Sequence, residues 1–414
     1  MPCHTLELAP FQGLRYISPD VDRFVDDEFD IARLLAPPYD IPGAQEAREL
    51  QHSDPHNAAR VTLPFELGRE SHPRYRRAAQ LLHSWIEEGV LAQDDEPALY
   101  VYEQTAPDGT HQRGLIGALG LDSPVRPHED VAEPPVRDRF RLMRATRANL
   151  EPIFLLYRGQ DGAASKATQE VDGTPLASAT LRDGSSHRLW AITEPAVLER
   201  IGTDLSRRSA LIADGHHRYA AYRQLLREDP DLGWRHGLAL LVDSDTHPPH
   251  LGAIHRVLPG VDIEQALDLA NTVAEVVPSD TTTPQDGLLL VSPKGHGHLV
   301  HNIDPRTLAE AMPDRSSEWR NLPTAALHEV LLPLWGVPEE QVRMVHDDPD
   351  QAMATARETQ GIAVIVPPLS VEQVYAVADR GELTPRKSTS FGPKPRTGLV
   401  MRVLATTPGR SPST

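Results

Sequence analysis

Apolar residues come in short bursts along this chain, and each burst is closed by proline, glycine or acidic residues. Residues 75–91 repeat at helical spacing, with Ala78, Leu82, Trp85 and Ile86 on one side, and predict an amphipathic helix. The runs 99–102 and 115–119 flank Pro107-Asp108-Gly109 and predict a β-hairpin; 288–291 and 298–301 around Lys294-Gly295-His296-Gly297 predict a second. Continuous apolar runs at 153–157, 189–192, 211–213, 238–242, 253–258 and 362–366 predict buried strands, and 11–16, 61–63 and 342–345 also have strand character. Helices are expected at 136–148, 195–201, 307–312, 325–334, 349–359 and 371–378, and after residue 215, where Tyr219, Ala220, Tyr222 and Leu225 recur at helical spacing. Strands and helices mix without a β-α-β-α rhythm and without a fixed-period repeat, so the fold class is α+β. The pattern divides into an N-terminal α+β region at 1–125, a core at 126–260, a C-terminal α+β domain at 261–402 and a flexible tail at 403–414.

Composition narrows the function classes. The 414 residues are 39% hydrophobic and 24% charged, ordinary values for a soluble globular protein. A formal net charge of -18 argues against sequence-independent nucleic-acid binding, which needs a basic face. No apolar run approaches the roughly 20 residues of a membrane helix, and the first residues lack the pattern of a signal peptide. The single cysteine, Cys3, excludes an internal disulfide and a cysteine-rich metal site, so a cytoplasmic home is the simplest expectation. The expected partner is a small-molecule substrate, with neither nucleic acid nor membrane; the oligomeric state is left open.

The densest chemistry lies between Ser209 and Tyr222, which read S-A-L-I-A-D-G-H-H-R-Y-A-A-Y. A buried strand runs into Asp214, placed to cap a helix with its carboxylate, and Gly215 lets the backbone turn sharply or approach a ligand. First-turn N–H groups together with His216, His217 and Arg218 then form an anion site. A strand–turn–helix corner of this kind is also ordinary, and adjacent histidines are often plain surface residues. Neighbouring positions on a helix do not face each other, so no metal site is expected there. Pro37-Pro38 hold Tyr39 and Asp40 on a rigid, extended loop. Arg137, Asp138, Arg139, Arg144 and Arg147 give the 136–148 helix a basic side, which a solvated face would equally explain. Near the C-terminus Arg386, Lys387, Ser388, Thr389, Ser390 and Lys394 would suit phosphate or carboxylate contacts; an exposed basic loop is the plainer account of that composition.

Several segments taken in order carry a resemblance. F-x-G-L-R at 11–15, A-P-P-Y-D at 36–40, P-x-N at 55–57, H-E at 128–129, R-D-R at 137–139, R-A-x-x-x-N-L-x-P-I-F at 144–154, A-D-G-H-H-R-Y at 213–219, H-R at 255–256 and P-x-K-S-T-x-F-x-P-K at 385–394 resemble the bacterial family known as the domain of unknown function 1015. The D-G-H-H-R corner is also similar to that of the ParB/sulfiredoxin superfamily, particularly to kinases acting on free serine. The resemblance implies a mixed-sheet ParB/sulfiredoxin-like catalytic core at 126–260, a corner that binds nucleotide phosphates at a helix N-terminus, and an acidic residue that deprotonates the acceptor.

These readings converge on a small-molecule phosphotransferase of serine metabolism, with a phosphate-ester hydrolase or a non-catalytic nucleotide-binding regulator as alternatives. Asp214, His216, His217, Asp40 and Glu129 are the candidate catalytic residues, with Asp138 a further candidate base and Asp40 preferred for its rigid loop. Gly215, Arg218, Lys387, Ser388, Thr389 and Lys394 are candidates for phosphate or nucleotide binding. Tyr39, Arg144, Asn149, His255 and Arg256 are candidates for substrate binding. The expected cofactors are Mg²⁺ and a nucleotide or pyrophosphate donor, the ion held largely by phosphate oxygens and water and not by a protein cage.

Overall fold

A computed structural model of the chain describes residues 5–17, 30–64, 72–230 and 233–404. The chain forms two compact units. The first comprises 1–127, 131–248 and 393–414; the second comprises 128–130 and 249–392.

The first unit is organised by a nine-stranded mixed sheet. Its strands are β1 (Leu8–Ala9), β2 (Leu99–Thr105), β3 (His111–Gly120), β4 (Val125–Arg126), β5 (Ile153–Tyr157), β6 (Ala177–Thr180), β7 (Ser186–Ile192), β8 (Ala210–Asp214) and β9 (His236–Asp243). The order across the sheet is β4-β8-β5-β9-β3-β2-β7-β6, with β1 added to β3. β2 and β3 form the expected hairpin, Tyr100 opposite Ile116 and Tyr102 opposite Gly114. β9 runs parallel to β5, and β8 runs parallel to β4; the other pairings are antiparallel. The uninterrupted apolar run of β5 follows from its place inside the sheet, where every residue is buried.

The helices of this unit include α1 (His72–Glu87), α2 (Glu133–Thr146), α3 (Ala163–Glu170), α4 (Pro195–Leu205) and α5 (His216–Glu228). Tyr222 and Leu225 of α5 and Phe140 and Met143 of α2 join Ile153, Leu155 and Ile212 of the sheet in one core. β9 makes room for α5 with a glycine: a Cβ on Gly237 would lie 2.4 Å from the buried ring of Tyr222.

The second unit is built on six antiparallel strands: β10 (Ile254–Leu258), β11 (Glu275–Ser279), β12 (Leu288–Val291), β13 (Gly297–His301), β14 (Arg343–His346) and β15 (Ile362–Ile365). Their order is β11-β13-β12-β15-β10-β14. Side chains alternate between two cores. Leu288, Leu290 and Val364 face one, while Leu289, Val291 and Ala363 face the other, packed against Ala352 and Ala356 of a helix at Pro349–Glu358. This two-sided burial explains why β10, β12 and β15, buried at every residue, lack a polar alternation.

The architecture is therefore mixed α+β, with these differences from the expected elements. Residues 61–63 are not a strand: Ala59–Thr62 is a short helix, nucleated where the Asn57 side chain accepts the Ala59 N–H. Three apolar residues are too few to set a period. The compact units also cut the chain differently from the segments drawn above, because β2 and β3 share one sheet with β5, β8 and β9, and 393–404 return to that unit. Within the expected tail, Val403 pairs with Ala148 and Leu404 is buried. The rest of that tail, and Cys3, lie outside the described residues. Among those residues no helix is long and apolar enough to cross a membrane.

The fit of Tyr222 over Gly237 is open to test. Gly237→Ala should destabilise the protein by about 1–3 kcal/mol through overpacking, measured as a lowered urea midpoint; an unchanged midpoint would show that α5 does not need this close approach.

Candidate functional site

Strand β8 ends at Asp214, and the chain turns into α5 at Gly215, whose φ of 92° is left-handed. Gly215, and not Asp214, therefore occupies the N-cap position. A side chain there would be strained by the dihedral and would crowd Ile153 at 3.0 Å and the Arg218 guanidinium at 3.1 Å.

Arg218 is turned inward and is only 1% exposed. Its Nη2 donates to Asp214 Oδ2 at 2.6 Å and its Nη1 to the Pro152 carbonyl at 2.6 Å. Burial opposes the charge, but Asp214, Glu151 and Asp40 outweigh it and raise the Arg218 pKa above its ordinary value. This guanidinium is built into the fold as the partner of Asp214. The other oxygen of Asp214 faces a second cation: Lys394 Nζ lies 2.7 Å from Asp214 Oδ1 and 3.1 Å from Asp40 Oδ2. Burial again works against the ammonium, and the two carboxylates overcome it, so the Lys394 pKa is raised. Asp40 is the most open member, its side chain 38% exposed against 20% for Lys394.

Tyr39 lies between two guanidinium groups, with Arg139 4.0 Å and Arg218 5.9 Å from its ring centre. Its backbone N–H donates to Glu151 Oε1 at 2.9 Å. His216 is buried, and His217 Nε2 accepts the Ala132 N–H at 3.2 Å, which places the ring proton of the neutral imidazole on Nδ1. Asp138 is committed elsewhere: Arg74, Tyr75 and Arg139 all bond its carboxylate. Burial would raise its pKa, yet those partners together hold it below the ordinary carboxylate range, which suits an ion-pair anchor and not a base.

The site thus gathers Tyr39, Asp40, Asp214, Gly215, Arg218 and Lys394, with His216 and His217 on the first turn of α5. Arg144 is not among them. α2 and α5 run side by side, Ala132 meeting His217 at one end and Arg144 pairing with Glu228 at 3.7 Å at the other, about 16 Å further along the axis. Asn149 is buried and accepts from Arg402 Nη1 at 3.0 Å, a contact within the strand pair that it forms with that residue. Glu151, which no sequence pattern singles out, also belongs here; it stands immediately before the proline of the R-A-x-x-x-N-L-x-P-I-F segment.

The segment carrying Lys394 is held by a second network, which runs from the surface inward. Arg396 Nη2 pairs with Asp183 Oδ2 at 2.5 Å, and its N–H reaches the Tyr102 hydroxyl at 3.2 Å. Tyr102 lies 2.9 Å from His187 Nδ1, and Ser185 Oγ lies 2.9 Å from His187 Nε2 while donating to Asp183 at 2.6 Å.

The remaining candidates belong to the second unit. Arg256 is fully buried and donates to the Lys387 carbonyl at 2.9 Å and to His328 Nε2 at 3.1 Å. Burial, opposed by Glu339, lowers its pKa to about 10. His255 is also buried, its Nδ1 accepting the Val366 N–H at 3.3 Å. Ser388 and Thr389 turn their hydroxyls inward, to the Pro385 carbonyl at 2.6 Å and to His128 Nε2 at 2.9 Å, while Glu129 accepts the Lys387 N–H at 3.2 Å. The Lys387 side chain is exposed. These contacts build a loop; the hydroxyls expected to meet phosphate are occupied within it.

The model of the family described as "Protein of unknown function (DUF1015)" matches residues 8–325. The chain belongs to the DUF1015 family. The match takes in every motif segment quoted above except 385–394. No curated protein matches by sequence. Among solved structures, a variant of free serine kinase in complex with ADP is 14% identical, covering 69% of this chain and 92% of that one, at a TM-score of 0.36. SbnI with a C-terminal truncation, from Staphylococcus aureus, is 11% identical over 70% and 87%, at 0.40. A conserved hypothetical protein from Pyrococcus furiosus is 13% identical over 70% and 95%, at 0.34. Likenesses this distant carry no argument about the activity of the DUF1015 chain.

The His187 network predicts a pH dependence. Burial and Arg396 lower the His187 pKa to about 4, with Asp183 opposing them. Below pH ~6.5 the unfolded chain takes up a proton that the folded chain refuses, so this contribution is complete above about pH 6.5 and is lost as pH falls toward 4, amounting to about 3 kcal/mol in all. Urea unfolding at pH 7, 5.5 and 4 should show a shallower loss for His187→Gln than for the parent; parallel curves would refute the assignment.

Proposed function

We propose that the first unit is a small-molecule phosphotransferase, free serine kinase-like, with a ParB/sulfiredoxin-like core that takes its phosphoryl group from a nucleotide or from pyrophosphate. The observation that carries this reading is the Lys394 ammonium held beside Asp214 and Asp40 where α5 begins. A fixed cation and the positive end of a thirteen-residue helix favour an oxyanion at one place. Phosphoryl transfer needs mainly such positioning and charge neutralisation.

Asp40 is the base in this reading, because it is the most open carboxylate and its loop is stiffened by Pro37 and Pro38. It takes the proton of the acceptor hydroxyl as the new O–P bond forms and the donor's P–O bond breaks. Lys394 holds the transferring phosphoryl oxygens, and His216 and His217 flank them. Arg218 acts at one remove by fixing Asp214. Among the described residues no group of three or more His, Cys, Asp or Glu could hold a metal. Asp40 and Asp214 nonetheless match the one or two carboxylates that Mg²⁺ uses when phosphates and water supply its other ligands. Such an ion would neutralise phosphate charge.

Incubating the protein with ATP, ADP or pyrophosphate, with and without L-serine, and following phosphorus NMR tests the reading. A transferase consumes donor only with acceptor; release of phosphate without acceptor would favour a hydrolase, and a thermal shift without turnover a binding protein. Asp40→Asn should lower kcat about 100-fold or more, and Lys394→Met should weaken donor binding. Undiminished product in both variants would remove the site.

A further inference from the structure

We propose that Glu151 is the positioning residue of this site: its carboxylate sets the spacing between the chain segments that carry Asp40 and Lys394. The inference rests on the site assignment above, but it is tested without substrate.

Glu151 is 4% exposed and meets three segments at once. Oε1 accepts the Tyr39 N–H at 2.9 Å and the Thr397 hydroxyl at 3.3 Å, while Oε2 lies 3.5 Å from Arg139 Nη1. The first contact is one residue from Asp40 and the second is three residues from Lys394. Pro37 and Pro38 have no N–H to give, so the loop at 36–40 is tied down through Ala36, which exchanges backbone hydrogen bonds with Thr397 at 3.1 and 2.8 Å, and through Tyr39, bound to Glu151. The same dipeptide grips α5, because the Glu151 carbonyl accepts from the Tyr222 hydroxyl at 3.2 Å and the Pro152 carbonyl from Arg218. Arg139, also bonded to the Thr62 carbonyl at 2.8 Å, faces the carboxylate and stacks on Tyr39. Asp40, Asp214 and Lys394 therefore stand on three segments that converge on residues 151–152. Removing the Glu151 carboxylate releases Tyr39 and Thr397 together and lets the Asp40–Lys394 spacing widen.

Lysine reactivity reads this directly. Lys166, Lys294 and Lys387 are exposed and serve as internal references for Lys394. Timed acetylation of the folded full chain, followed by peptide mass spectrometry, should show Lys394 modified slowly in the parent. In Glu151→Ala it should react on the order of fivefold faster, the factor given by losing about 1 kcal/mol of ion pairing, and Asp40→Asn sets the scale of a direct loss. Glu151→Gln keeps the acceptor oxygen and should restore most of the protection, whereas in a merely structural role the Lys394 rate would track the urea midpoint from variant to variant. If Glu151→Ala fails to fold, Thr397→Val carries the test, with a smaller rise confined to Lys394. An unchanged Lys394 rate in folded Glu151→Ala or in Thr397→Val, or a rise that only follows the loss in urea midpoint, overturns the proposal. Absence of turnover and of donor binding in the parent would sink the phosphotransferase reading while leaving these rates to decide this one.

Discussion

Arg218 brings a full positive charge to a place where water does not follow, and the surrounding chain is arranged around that fact. Leaving such a charge without its partner typically costs about 3–5 kcal/mol. Asp214 and the Pro152 carbonyl supply its partners, and in doing so they fix the end of β8, the first turns of α5 and the start of β5 relative to one another. Gly215 is needed because the left-handed turn would strain any side chain, which would also crowd the same guanidinium. The carboxylate that steadies the buried arginine then has an oxygen left to face Lys394, so one ion pair organises the fold and the next organises the site.

The formal charges of Asp40, Asp214, Arg218 and Lys394 cancel, so the site does not share the strongly acidic balance of the whole chain. The Lys394 ammonium is shared by two carboxylates, of which Asp40 is the more exposed. Two cations that look alike in a sequence thus differ in kind: Arg218 is fully buried with its partner, and Lys394 lies nearer the surface between two carboxylates.

Much of this was legible from residue order. The hairpin of β2 and β3, the buried runs of β5, β8 and β9, and the corner at 214–218 follow from period, turn chemistry and apolar content. Asp40 and Lys394 were legible as candidates because prolines and hydroxyls frame them, but their meeting was not, since 354 residues separate them. Glu151 was hidden for a related reason: its partners, Tyr39 and Thr397, come from distant segments, and a lone acid before a proline has no local signature. Ser388 and Thr389 are ambiguous in the opposite sense, since hydroxyl-rich composition describes a phosphate loop and a self-bonded turn equally well. Residues 61–63 show the local limit, where three apolar residues cannot tell a strand from the short helix that follows the Asn57 turn.

The first unit closes with a segment that follows the entire stretch 249–392 in chain order. During translation the sheet of residues 99–243 can emerge and pair while Lys394, Arg396 and Thr397 do not yet exist. At about 5–20 residues per second, the interval is on the order of ten seconds. Throughout it, Glu151 and Asp214 lack their latecomer partners, so the nascent first unit is a scaffold left open until the returning segment docks.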